Sequence, residues 1–164
     1  MGPFARAVAK ASPAAPPKRV RILALDYGRR RIGLAISDEL GLTANPLPVL
    51  LRKNRREDLA RLREIAHANS VARIIVGLPL HLSGRYGEMA EEASRFASRL
   101  AKELAIPVEQ LDERLTSWEA EQLAKESQHA KKADLDSISA AILLREYLET
   151  KNVHGESAGA AQTS

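Results

Sequence analysis

Three places in this chain set a carboxylate where chemistry is possible. Asp26 closes the apolar run "VRILALDY", Asp112 and Glu113 close "VEQLDER", and Asp136 falls in the first turns of "DLDSISAAILLREYLE". Clustered carboxylates repel one another and are costly to bury unpaired. A divalent cation resolves that conflict. Hard oxygen donors, with no cysteine and no convergent pair of histidines, suit Mg²⁺ or Mn²⁺. Such ions bridge phosphate oxygens, activate water and stabilise a leaving oxygen. Arg29, Arg30 and Arg31 follow Asp26, and Arg52, Lys53, Arg55 and Arg56 lie further on, so a polyanionic substrate would meet positive charge. Each position also has a plainer use. Asp26 before Gly28 suits a turn, Asp112 and Glu113 suit surface pairing with Arg114, Asp136 suits a helix N-terminus, and the arginines suit a solvated face.

Elements must bring these residues together. "VRILALDY" is apolar on both faces and reads as a central strand. "RIGLAIS" reads as its hairpin partner across a short turn at 28–30. "LPVLLR" reads as a third strand, its Pro46 and Pro48 marking a start or an edge. "REDLARLREIAHAN" and "YGEMAEEASRFASRLAKEL" carry apolar residues at helical spacing, and "ARIIVGLP" and "IPVEQLDER" read as strands. "TSWEAEQLAKES" opens a further helix with Thr116 and Glu119 as a capping box. Asp134 suits the N-cap of the last helix. An antiparallel start feeding β-α-β crossovers predicts an α/β domain, a mixed five-stranded sheet flanked by helices.

In such sheets ligands gather outside the carboxyl ends of the strands. If the strands of Asp26 and of Asp112–Glu113 are parallel neighbours, their acids meet at one edge. Asp136 shares its helical stripe with Ala140, Leu143 and Tyr147, so it lies on the packing face or its rim. Ser139, Ala140 and Ala141 are small and would let that helix approach the sheet closely.

The bulk properties narrow the classes. At 164 residues the chain suits one domain: a tail at 1–18, a folded part at 19–150 and a second tail at 151–164, both tails expected to be disordered. Net charge is +4 and the sequence pI about 9.6, which favours an anionic partner such as nucleic acid. Aromatic residues are only 4%, against a single-strand binder built on stacking. The absence of cysteine removes disulfides, thiolate zinc sites and a cysteine nucleophile, and is compatible with the cytoplasm. No apolar run has the length of a membrane span, and the first twenty residues lack the apolar core of a signal peptide. Gly28 and Gly33 have phosphate-loop spacing, but Leu34 and Ala35 stand where Lys and Ser/Thr are required. The four histidines are scattered, and only His81, after "GLPL" in a strand-to-helix loop, draws interest.

The segments "LALDYGRRRIGLAISD", "ANPLP", "IIVGLPLHLSG", "LDERLTS" and "DSISAAILLREYL" occur in one order across most of residues 20–149. In that order they resemble the YqgF-like (RuvX) family, pre-16S rRNA nucleases once assigned to Holliday junction resolution. The resemblance implies an RNase H-like fold, a divalent metal (Mg²⁺ or Mn²⁺) and hydrolysis of a phosphodiester in RNA. It carries Asp26, Asp112 or Glu113, and Asp136 over as metal ligands, with Asp26, Glu113 and Asp136 as the catalytic acids. Glu113 is preferred to Asp112, which would point back into the sheet. Arg114 and Thr116 carry over as substrate contacts, and Arg30 and His81 join them. His81 stands where the family usually has Asn, Ser83-Gly84 where Asp-Gly is common, and "HAKKADLD" keeps Lys131 and Lys132 but adds Asp134.

The implied partner is RNA, pre-16S rRNA in a pre-ribosomal particle, met in the cytoplasm by a monomer or homodimer. Branched DNA is the alternative substrate, since the same acids could resolve a four-way junction if two copies cut symmetrically. A non-catalytic ribosome-associated RNA-binding module is another. "LALDYG" also resembles the first phosphate loop of actin-like ATPases, a fold that normally needs two such domains where this chain has room for one.

Overall fold

The computed structural model describes residues 21–78, 87–112 and 132–162, with side chains of the last stretch described at 135–151. The chain runs β1 (Arg21–Asp26), β2 (Arg31–Ser37), β3 (Ala44–Leu51), α1 (Arg55–Ala68), β4 (Val71–Leu78), α2 (Glu88–Leu104), β5 (Val108–Asp112) and α3 (Lys132–Gln162). The five strands form one sheet in the order β3-β2-β1-β4-β5. β1 pairs antiparallel with β2 and parallel with β4, β2 is antiparallel to β3, and β4 is parallel to β5. This is the mixed sheet expected from the strand sequence, with the twice-buried β1 at its centre. β3 is an edge strand, which is where Pro46 and Pro48 can sit without breaking a ladder.

Alternation along the strands divides the molecule. Leu23 and Leu25 of β1, Ile32, Leu34 and Ile36 of β2, and Ile74 and Val76 of β4 turn to one face. There they pack on Leu59, Leu62 and Ala66 of α1 and on Phe96, Ala97 and Leu100 of α2. Ala24, Ala35 and Ile75 turn to the other face and meet Ala140, Leu143, Leu144 and Tyr147 of α3. Asn54 caps α1, its side-chain oxygen accepting from the Glu57 N–H at 2.9 Å.

α3 is longer than the sequence predicts. It is already helical at Lys132, so Asp134 lies inside it and is not its N-cap, and its backbone stays helical past Thr150 as far as Gln162. No proline interrupts 132–162, and alanines recur near its end, which permits continuation. The helix predicted over 116–127 and the tail at 1–18 lie outside the described residues. No helix among the described residues is long and apolar enough to cross a membrane.

Candidate active site

Asp26 is a strand residue, not a turn residue. It faces Gly33 across the β1–β2 ladder and Gly77 across the β1–β4 ladder. Two residues before it, Ala24 packs under α3, so alternation directs Asp26 to that same face. Glycine on both sides puts no neighbouring side chain beside its carboxylate. Gly33 has a second role: a methyl group there would overlap the backbone carbonyl of Asp136 and crowd the amide of Ser137. The helix backbone therefore rests directly on β2 at the residue opposite Asp26. Paired residues of an antiparallel ladder have Cα atoms about 5 Å apart. Asp26 and Asp136 are thus brought to one end of one face, as the packing stripe of α3 predicts.

Two contacts hold α3 in that position. The hydroxyl of buried Ser137 donates to the carbonyl of Leu47 in β3 at 2.7 Å. Three turns on, Tyr147 accepts from Arg73 at 2.7 Å and donates to Glu109 at 2.8 Å, tying α3 to β4 and β5. Burial is the main cause that pushes the Tyr147 phenol above its ordinary range. Asp136 itself accepts from Nε of Arg31 at 3.1 Å, each side chain about one-third exposed.

Gly77 pairs with Leu111, and Leu111 packs against the α3 cluster, the face of Asp26. Asp112, next along and opposite Leu78, is exposed at the end of the edge strand β5 and lines a hollow with Leu111, Leu143 and Tyr147 on the α3 side. Glu113, Arg114, Thr116 and His81 lie outside the described residues. Among the described residues no group of three or more histidine, cysteine, aspartate or glutamate side chains could hold a metal.

The three arginines after Asp26 diverge. Arg29 turns to α2 and makes a two-pronged contact with Glu92, the shortest arm 2.8 Å, with Glu88 at 3.8 Å. That hydrogen bond holds the Glu92 carboxyl below its usual range. Arg31 serves Asp136. Arg30 is exposed and makes no side-chain hydrogen bond or ion pair with any described residue, so its charge stays available to a substrate.

Arg52 departs from the solvated run in which the sequence groups it. Its guanidinium donates to buried Asp58 at 3.1 Å, to the Tyr27 hydroxyl at 3.0 Å and to the Gly28 carbonyl at 3.1 Å. It also lies over the rings of Tyr27 and Phe96, at 5.0 and 5.4 Å from their centroids. Asp58 accepts the Lys53 N–H as well, at 3.0 Å. This network clamps the loop after Asp26 to the start of α1. Tyr27 and Gly33 were invisible as site residues because their partners Arg52 and Asp136 are distant in sequence. The one local signal was Asp58, an acid at N4 of a helix that is flanked by basic residues.

A central strand ending in an acid, antiparallel to β2, parallel to β4 and covered by a helix bearing a second acid, defines the RNase H-like class of α/β folds. The structure of Thermus thermophilus RuvC in complex with a Holliday junction substrate aligns with TM-score 0.51 at 17% identity, covering 80% of this chain and 95% of that one. RuvC has this fold, and so does the present chain. The model of the family described as "RuvX: Holliday junction resolvase" matches residues 20–150. A relative from Koribacter versatilis is 49% identical over 139 residues, 83% of this chain and 91% of the relative. One from Symbiobacterium thermophilum is 43% identical over 135 residues, 80% and 94% of the two chains. Both carry the name "Putative pre-16S rRNA nuclease". The chain belongs to the RuvX family.

Proposed function

We propose that the protein is a metal-dependent endonuclease that hydrolyses phosphodiester bonds and matures the 5′ end of pre-16S rRNA. The observation that carries this reading is the seating of α3 on Gly33, which sets Asp136 beside the strand end of Asp26. The names of the relatives support the substrate. Asp26 and Asp136 offer hard carboxylate oxygens, which fit Mg²⁺ or Mn²⁺. Glu113 is the third ligand that the family resemblance favours, with Asp112 beside it as the alternative. When bound, the ion supplies charge that offsets the phosphate and acidifies the attacking water.

The chain's own residues do the positioning. Asp26, on a strand clamped from both sides, orients what binds at the sheet's end. Arg31 offsets the charge of Asp136. Arg30 is exposed at the adjoining turn and meets a non-bridging phosphate oxygen, with Arg114, Thr116 and His81 as further contacts. Water attacks phosphorus, the bond to the leaving oxygen breaks, and that oxygen takes a proton.

The test is cleavage of an end-labelled RNA spanning the 5′ end of precursor 16S rRNA, with Mg²⁺, with Mn²⁺ and with EDTA. Cleavage with either ion, absent in EDTA and reduced at least about a hundredfold in Asp26→Asn, is expected. A mutant that cuts like the wild type would remove Asp26 from the site. A DNA four-way junction runs beside the RNA, because the family description names that activity. Cleavage of the junction alone would make the protein a resolvase.

A further inference from the structure

We propose that the cleft between α1 and α2, on the face away from the acids, is a track for the phosphate backbone of the same nucleic acid strand. The proposal rests on the nuclease reading and extends it to a second surface. Two adjoining hollows lie between α1 and α2 and a third continues along the exposed side of α2, and they share Arg55, Arg95, Arg99 and Glu103 among their linings. The largest two enclose about 590 and 630 Å³. Arg55, Arg56 and Arg63 come from α1, and Arg95, Arg99 and Lys102 from α2. The α2 set is spaced by four and three residues, so it forms one stripe along the helix.

Three acids near this stripe are already engaged, and exposed Glu91, one turn before Arg95, makes no ion pair with any described residue. Glu92 is taken by Arg29 at 2.8 Å, Glu103 stands 3.7 Å from Arg63, and Asp58 is taken by Arg52. Arg55, Arg56, Arg95, Arg99 and Lys102 make no hydrogen bond or ion pair with any described residue, and all are exposed. Like charges held this close repel, and a polyanion laid between them relieves that repulsion. The chemistry favours phosphate over an acidic protein. A protein interface needs an apolar centre. Among the described residues the large exposed apolar side chains are Leu40, Leu42 and Leu51, none of which lines the cleft.

The track also leads to the right place. Its upper hollow is lined by Tyr27, Arg52 and Phe96, and Tyr27 directly follows Asp26. Alternation sends Asp26 and Tyr27 to opposite faces of the sheet. A strand leaving the cleft past Tyr27 crosses the 27–30 loop, meets exposed Arg30, and arrives at Asp26. Contacts of this kind fix the position of a strand without reading its sequence.

The experiment measures binding of the labelled precursor RNA by anisotropy over a range of salt, in EDTA, with the full chain. Arg95→Ala/Arg99→Ala is compared with wild type and with Asp26→Asn, and helical content is checked by circular dichroism. The double variant is expected to flatten the plot of log affinity against log salt by about 1.4, two single-strand phosphate contacts. Asp26→Asn should keep the wild-type slope. RNA binding by wild type with an unchanged slope in the double variant overturns the track and leaves the nuclease reading standing. No RNA binding by wild type overturns both. Displacement of RNA by poly-glutamate as readily as by unlabelled RNA assigns the cleft to an acidic protein and overturns the track.

Discussion

The two faces of the sheet are built differently. The face under α1 and α2 is lined by Leu23, Leu25, Ile32, Leu34, Ile36, Ile74 and Val76. The face under α3 presents Ala24, Gly33, Ala35 and Gly77 beside the single buried large residue Ile75 in the same strands. Large aliphatic residues hold their helices off and bury the most apolar area, so that face supplies stability. Small residues bring the third helix backbone down onto the sheet, so that face supplies position. Asp136 sits where the layer is thin, its backbone on Gly33 opposite Asp26. Among the described residues Arg55, Arg56, Arg95 and Arg99, which make no ion pair, gather on the outer surface of the thick layer.

Substitutions can break this division. The largest loss of stability is expected from the thick face. Leu23→Ala, fully buried, should cost about 2–5 kcal/mol in urea unfolding, with cleavage per folded molecule little changed. Loss of activity in proportion to loss of stability would mean the two faces are not separable. Gly33→Ala, on the thin face, should cost about 1–3 kcal/mol by overpacking. It should also cut cleavage by well over the factor that unfolding explains, since α3 and Asp136 must shift. A Gly33→Ala protein with full activity would show that Asp136 tolerates a lifted helix. Ser137→Ala is the mildest. Loss of its hydrogen bond to Leu47 should cost about 1 kcal/mol and lower activity a few-fold. A neutral result in both readouts would leave the packing at Gly33, the Tyr147 contacts and the Arg31–Asp136 pair to seat α3.

Much of the fold was legible because the periodicities are clean. "ILALD" alternates leucine with alanine and aspartate, and that alternation is the division between the two faces. The stripe of Asp136, Ala140, Leu143 and Tyr147 placed the acid on the packing side of its helix. The N-terminal end of α3 was misplaced because Asp134 resembles a cap, and capping chemistry is local while helix extent also depends on packing. Arg52 was grouped with a solvated run because a basic tetrad looks uniform in sequence. Its partners Tyr27 and Gly28 lie about 25 residues away and only meet it through the sheet.

By itself the sequence determined the strand and helix types, the central place of β1, the family resemblance and the acidic candidates. Each depends on residue identity at fixed short spacing, which the chain carries without folding. Only the tertiary structure decided which neighbours those residues have. It put Asp136 on Gly33, drew Arg52 inward and lined two helices into a basic cleft. Register and layer spacing decide such contacts, and both arise from side chains far apart in the chain packing at once.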